Sequence, residues 1–161
     1  MSRTITEEAA RTTTQGWRSD PLLGFHFSVD LGEKTLGYFL ECSGLGSEHE
    51  IVEQKVVNDK GQEVVLKIPG RLKWENIVMK RGVTEDTRIW EWRQEVLDGG
   101  VDNARINGTI VMYDQTGGAV ARWNFTNGWP AKVTGPQPKS DSNEIGVEEL
   151  TITHEYIERE F

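Results

Sequence analysis

Ile68-Pro69-Gly70-Arg71-Leu72-Lys73-Trp74-Glu75-Asn76-Ile77-Val78-Met79-Lys80-Arg81-Gly82-Val83-Thr84-Glu85-Asp86-Thr87-Arg88-Ile89-Trp90-Glu91-Trp92 reads as a turn, a strand, a second turn and the start of a helix. Pro69-Gly70 is turn chemistry, because proline fixes φ and glycine accepts φ > 0. Leu72, Trp74 and Val78 then share one side of a period-two strand, and Ile77 and Met79 share the other. That apolar second half is expected to be buried on both faces, with Gly82 ending it. Thr84 is the expected N-cap, and Glu85 and Asp86 place negative charge where the helix dipole favours it. Ile89, Trp90, Trp92, Val96 and Leu97 form an apolar arc into which Arg93 projects. Thr87, Arg88, Glu91, Gln94, Glu95 and Asp98 form the polar face, and Gly99-Gly100 stops the helix.

Outward from this stretch the pattern is β. Phe25, Phe27, Val29 and Leu31 alternate with His26, Ser28 and Asp30, and Leu36 to Cys42 returns after a short turn as a hairpin. Glu50–Val57 and Gln62–Ile68 make a second hairpin around Asn58-Asp59-Lys60-Gly61, with a mixed-charge outer half that suits a solvated flap or a polar contact surface. Ile106, Ile110 and Met112 mark one strand. Ala119, Ala121, Trp123 and Phe125 mark the next, which Trp129-Pro130 should break. Gly135 to Asp141 is Pro-rich and irregular. The last strand is expected over Val147–Ile157, with Leu150, Ile152 and Tyr156 on one face. Glu149, Thr151, Thr153 and Glu155 take the other. This is a mainly β chain: two packed antiparallel sheets forming a small barrel or sandwich, with one outer α-helix.

The 161 residues suit one domain, expected over 21–161, preceded by a polar, Thr-rich arm over 1–20 in which Trp17 is the one anchoring residue. No apolar run approaches the ~20 residues of a membrane span, and the first twenty residues lack a secretory h-region. A net charge of −8 with scattered basic residues argues against a site that grips nucleic acid, whereas a negative surface suits a conduit past which an acidic passenger must slide. The one cysteine, Cys42, excludes an internal disulfide and reads as a small packed hydrophobe. His26, His49 and His154 fall in three separate strands without a metal-spaced partner, and no nucleophile elbow or zinc-protease pair is present. Catalytic, metal and cofactor sites are therefore not expected.

Three segments carry a family resemblance: Pro69-Gly70 through Asn76-Ile77-Val78-Met79-Lys80-Arg81-Gly82 to Asp86-Thr87 and Trp90-Glu91-Trp92; Trp123 to Pro130; and Ser142 to Ile152. In this order they resemble the tail-tube family of contractile-tailed phages, tailocins and extracellular contractile injection systems, and more distantly the type VI secretion tube. The resemblance implies a structural subunit, made in the cytoplasm, that forms hexameric rings stacked into a tube. The implied partners are further copies of itself, a sheath, baseplate and cap proteins, and a passing cargo protein or DNA, with no membrane binding of its own. Phage tail, tailocin and injection system all remain open. Within that reading Arg88, Glu91, Glu95 and Asp98 are the expected sheath contacts. Asn58, Asp59, Lys60, Gly61 and Trp17 are the expected ring-stacking residues, and Glu149, Thr151, Thr153 and Glu155 the expected channel lining. The competing reading is a monomeric β-sandwich binding module, with Trp123 and Trp129 as an aromatic ligand platform.

Overall fold

A computed structural model describes residues 25–32, 34–136 and 146–161. The arm over 1–20, with Trp17, lies outside them. The strands are β1 (His26–Asp30), β2 (Thr35–Phe39), β3 (Glu41–Ser43), β4 (Ser47–Val57), β5 (Glu63–Trp74), β6 (Ile77–Gly82), β7 (Ile106–Tyr113), β8 (Ala119–Thr134), β9 (Val147–Thr153) and β10 (Tyr156–Arg159). Two helices, α1 (Arg88–Leu97) and the four-residue α2 (Val101–Ala104), lie between β6 and β7. The main sheet runs β2-β1-β7-β8-β9-β6-β3, all antiparallel, with β10 also on β8. It folds over on itself without closing into a barrel, so the two halves pack like a sandwich. β4 and β5 form a separate two-stranded sheet.

The fold-over happens in β8. Its first part pairs with β7 and β10, and Trp129–Thr134 pairs with β9. Asn127 sits at the switch with φ 51°, a left-handed conformation that Asn tolerates better than most residues. Its N–H donates to Asn107 Oδ1 at 3.0 Å and its Nδ2 to Glu155 Oε2 at 2.7 Å. The strand therefore runs through Trp129-Pro130, contrary to the expected break. Pro130 is buried and opposite Ile152, and its carbonyl accepts a bond from Arg93 Nη1 at 3.0 Å, which is where that arginine's head goes. Beside the switch the Phe125 ring lies against Gly108 and Gly128; a Cβ at either would come within 2.3 Å of it.

The core joins Val29, Leu31, Leu36 and Phe39 to Ile77, Met79, Ile110, Phe125, Leu150, Ile152 and Ile157, with Ile89 and Trp92 from α1 covering it. Period-two alternation holds where strands are straight. In β6 Ile77, Met79 and Arg81 point inward while Val78 and Lys80 point out, so this strand is buried on one face, not two.

Other departures have local causes. Pro69-Gly70 is not a turn but lies inside β5 at a register shift, where Pro69 faces Ile51 and Gly70 lets the Glu50 carbonyl approach. The strand expected across 72–82 is split at Glu75-Asn76, and Leu36–Cys42 is split at Leu40, because each chain crosses there to another partner. α1 starts at Arg88 with Thr87 at its N-cap and no capping side chain. Thr84 Oγ1 instead accepts from Asp86 N at 3.2 Å, closing the turn before the helix. Trp90 and Leu97, expected in the apolar arc, are exposed. The last strand kinks at His154-Glu155, which shifts the alternation by one: Ile157 is buried and Tyr156 is exposed.

Candidate assembly surfaces

The position of α1 is set from beneath by an inward-pointing arginine. Arg81 is 5% exposed. Its Nη1 donates to Leu36 O at 2.7 Å, its Nη2 to Asp86 O at 3.1 Å and its Nε to Glu148 Oε2 at 3.3 Å. The guanidinium also lies over the Phe39 ring, 5.3 Å from its centroid. Glu148, equally buried, takes a second bond at its Oε1 from Trp90 Nε1 at 3.0 Å. One buried ion pair thus ties β2, β6, β9 and the start of α1 together. The Lys80-Arg81-Gly82, Asp86-Thr87 and Trp90 segments of the sequence converge on it. Read from the sequence as one of a pair of adjacent solvated acids, Glu148 shares the parity of Leu150 and Ile152 and turns inward with them, while Glu149 turns out.

With α1 fixed, Arg88, Glu91, Glu95 and Asp98 form one stripe along its outer side at spacings of three and four. The Arg88 Nε donates to both Asp86 carboxylate oxygens, at 2.9 and 3.0 Å, and that guanidinium holds the Asp86 carboxyl down to about 2. Thr87 Oγ1 donates to Glu91 Oε1 at 3.3 Å and Gln94 Nε2 to Asp98 Oδ1 at 2.9 Å. What the stripe offers outward is therefore mainly carboxylate.

On the opposite side of the core, one face of β3, β6, β9 and the second part of β8 carries Glu149, Thr151 and Thr153. In the ladder Glu149 pairs with Lys80 and Thr134, Thr151 with Val78 and Lys132, and β3 adds Glu41 and Ser43. Lys80 Nζ reaches Glu41 Oε2 at 3.8 Å. The face is polar and hydroxyl-rich, with two lysines interleaved among two glutamates. Glu155, expected on it, lies past the kink, bound to Asn127. Lys80 shares the parity of Val78 and so was open to reading from the sequence; Lys132 lies past the break expected at Pro130, where no face was assigned.

The β4–β5 hairpin projects from this body. Its strands of 11 and 12 residues reach about 35 Å at ~3.3 Å per residue, and nearly every side chain on them is exposed. The tip is well built: Asn58 Oδ1 accepts from Lys60 N and Gln62 N at 3.0 and 2.9 Å, Gly61 N donates to Asn58 O at 3.0 Å, and Gly61 takes φ 73°. Below the tip the arm is not only polar. Val52 with Ile68, Gln54 with Leu66 and Val56 with Val64 line one face, while Glu53 with Lys67, Lys55 with Val65 and Val57 with Glu63 line the other. Ile51 and Val57 are 68% and 69% exposed.

His154 anchors the root of this arm. Its Nε2 meets Glu75 O at 2.9 Å, its ring stands 6.0 Å from that of Trp74, and burial pushes its imidazole below the ordinary 6.5. Trp123 is covered by the Arg159 guanidinium at 5.6 Å and packs on the core, so it and half-buried Trp129 make no open aromatic platform. Cys42 faces inward and burial pushes its thiol up to about 12, which makes it a poor nucleophile. Among the described residues no group of three or more potential metal ligands comes together, and no helix is long and apolar enough to cross a membrane.

A family model described as the T4-like virus tail tube protein gp19 matches residues 23–158. A comparison with curated proteins finds no match. Among solved structures, the chain is similar to one from the sheath–tube complex of PVC, an extracellular contractile injection system, in the extended state. The identity is 24% over 92% of this chain and 97% of that one, with a TM-score of 0.62. It is also similar to a chain of the cap that terminates the tube of the anti-feeding prophage AFP, at 24% identity over 83% and 87%, TM-score 0.62. A type six secretion system protein shares the fold at 11% identity over 84% and 82%, TM-score 0.59.

Proposed function

Because the chain belongs to the T4-like virus tail tube protein family and is a structural tube subunit, not an enzyme, we propose that it closes into hexameric rings. The rings stack into the inner tube of a phage tail or injection particle and enclose a channel for cargo protein or DNA. The observation that carries this reading is the β4–β5 arm. A lone two-stranded hairpin is marginal in water, and this one holds a row of valine, leucine and isoleucine clear of its own core. A neighbouring copy that covers the row supplies what the monomer lacks. β3, which ends the main sheet among the described residues, offers a further edge. A heterologous contact of this kind closes into a ring when its rotation returns on itself.

In this arrangement the tip at Asn58, Asp59, Lys60 and Gly61 reaches the next ring. The face of Glu149, Thr151 and Thr153, extended by Lys80 and Lys132, lines the channel. α1 turns outward with Arg88, Glu91, Glu95 and Asp98 toward a sheath. The solved sheath–tube complex and tube cap with the same fold support a sheath and a cap as partners; a baseplate would seat the first ring. Residues 21–161 act as one tube-forming unit, with 1–20 as an arm toward a neighbour.

Light scattering and negative-stain images of the tag-free protein test the assembly: rings and stacked rings are expected, and a strict monomer at every concentration overturns it. Thr151→Cys with a bulky maleimide tests the wall. Slow labelling from the ends of long tubes is expected, and fast labelling along their whole length puts that face outside.

A further inference from the structure

We propose that the cleft beside α1 is a socket for the sheath, taking one large apolar side chain carried on a basic segment; this rests on the tube reading above. The cleft holds about 610 Å³ between α1, the β1–β2 turn and the start of β7. Its floor is apolar: Leu31, Leu36, Trp92, Ala104 and Ile106. Its one indole donor is occupied, because Trp92 Nε1 donates to Ala104 O at 2.9 Å. No buried donor is left there to orient a small polar ligand, so the floor matches a side chain in kind.

The rim sets the charge of the occupant. Arg88 and Arg105 line it, but each is tied to an acid that does not: Arg88 to Asp86, and Arg105 Nη1 to Asp102 Oδ1 at 3.3 Å. Among the described residues Glu91 accepts the Thr87 hydroxyl and feels the charge of Arg88, which Asp86 already holds, and Glu95 has no side-chain partner. Among the described lining residues two carboxylates thus stand against the single ammonium of Lys34, and they are the middle two residues of the acidic stripe. The cleft shares no lining residue with the Glu149 and Thr151 ladder, and α1, which turns outward in the tube reading, forms one of its walls. If that face lines the channel, the cleft looks outward, where a sheath runs. An apolar anchor fixes the register of a sheath segment, and Lys or Arg beside it meets Glu91 and Glu95.

The test uses whole particles made by co-expressing this chain with the sheath protein of the same particle. Asn103→Trp places an indole at the mouth of the cleft from an exposed position on α2. Tubes of normal length with a sheathed fraction down about tenfold are expected. A benzophenone amino acid at Asn103 in otherwise unchanged particles should crosslink to a sheath segment holding an apolar residue within a few positions of Lys or Arg. Normal sheathing of folded Asn103→Trp tubes overturns the proposal. So does a crosslink to a second copy of this chain, or no sheath adduct from particles that are fully sheathed. If the unaltered chain gives no tubes at all, the tube reading fails and takes the socket with it; tubes with the socket variant unaffected defeat the socket alone.

Discussion

Arg81→Met cuts the buried ion pair that ties β6 to β9 and to the start of α1. Methionine keeps most of the aliphatic stem, so the cavity is small and the loss is mainly electrostatic. Three bonds disappear, to Leu36 O, Asp86 O and Glu148 Oε2. The Glu148 carboxylate is left buried with only Trp90 Nε1 as a partner. Removing one member of a buried ion pair costs about 3–5 kcal/mol. Against a domain stability of ~5–15 kcal/mol that is severe. At ~2–4 °C per kcal/mol for a chain of this size, Tm should fall by about 6–20 °C.

Glu148→Leu alone should also be costly, because it leaves the guanidinium with two carbonyls and the Asp86 carboxylate at 3.8 Å, which Arg88 already holds. The double variant Arg81→Met with Glu148→Leu removes both charges and should cost less than the two singles summed, by at least about 1 kcal/mol. Urea unfolding followed by tryptophan fluorescence, on protein too dilute to form rings, measures all three, since Trp90 and Trp92 sit on the helix being released. A single-variant loss under about 1 kcal/mol, or additive losses, would show that the pair does not hold the helix down and refute the reasoning.

Stability should fall in acid in two windows. Asp86 is depressed to about 2 in the fold, so its contribution is complete above an unfolded value near 4 and is lost as pH drops toward 2; Asp86→Asn should flatten melting curves over that range. His154 is also depressed, so protonation favours the unfolded chain: stability holds above the ordinary imidazole value of 6.5 and declines below it, and His154→Phe should remove that slope. Replacing Asn58–Gly61 with a short glycine linker should leave the monomer's Tm unchanged and folded rings intact while shortening or abolishing tubes; full-length tubes from this variant would move the stacking role elsewhere.

The strands were legible wherever one face meets the core and the backbone stays straight, as in β9, whereas β6, apolar on both sides in the sequence, is buried on one face alone. Residues that change direction were not legible, because their cause is non-local. Nothing in Trp129-Pro130 says that β8 trades one partner for another there, since the left-handed turn belongs to Asn127 and is held by Asn107 and Glu155. The kink at His154 was equally silent: it depends on a bond to the Glu75 carbonyl, 79 positions away. The polar stripe of α1 and the turn at Asn58–Gly61 came through, since both follow from spacings of a few residues. The apolar row of the arm was present as Val52, Leu66 and Ile68. It read as ordinary strand because burial, not pattern, separates a core face from a face awaiting a partner.

Where the apolar surface lies matches how long each proposed contact must last. Covering one exposed valine, leucine or isoleucine side chain contributes ~1.5–3 kcal/mol. The arm holds out Ile51, Val52, Val57, Val65, Leu66, Ile68 and Leu72, so a neighbour that covers them gains more apolar burial there than anywhere on α1. The outer side of α1 is the reverse: carboxylates whose surface ion pairs contribute about 0–1 kcal/mol each. In the proposed arrangement a sheath assembles along that side and has to leave it again. Charge pairs with a single apolar socket hold through many repeated copies and yet let go one copy at a time. Had the apolar row been on α1 and the carboxylates on the arm, the same fold would give a tube that falls apart inside a sheath that cannot leave.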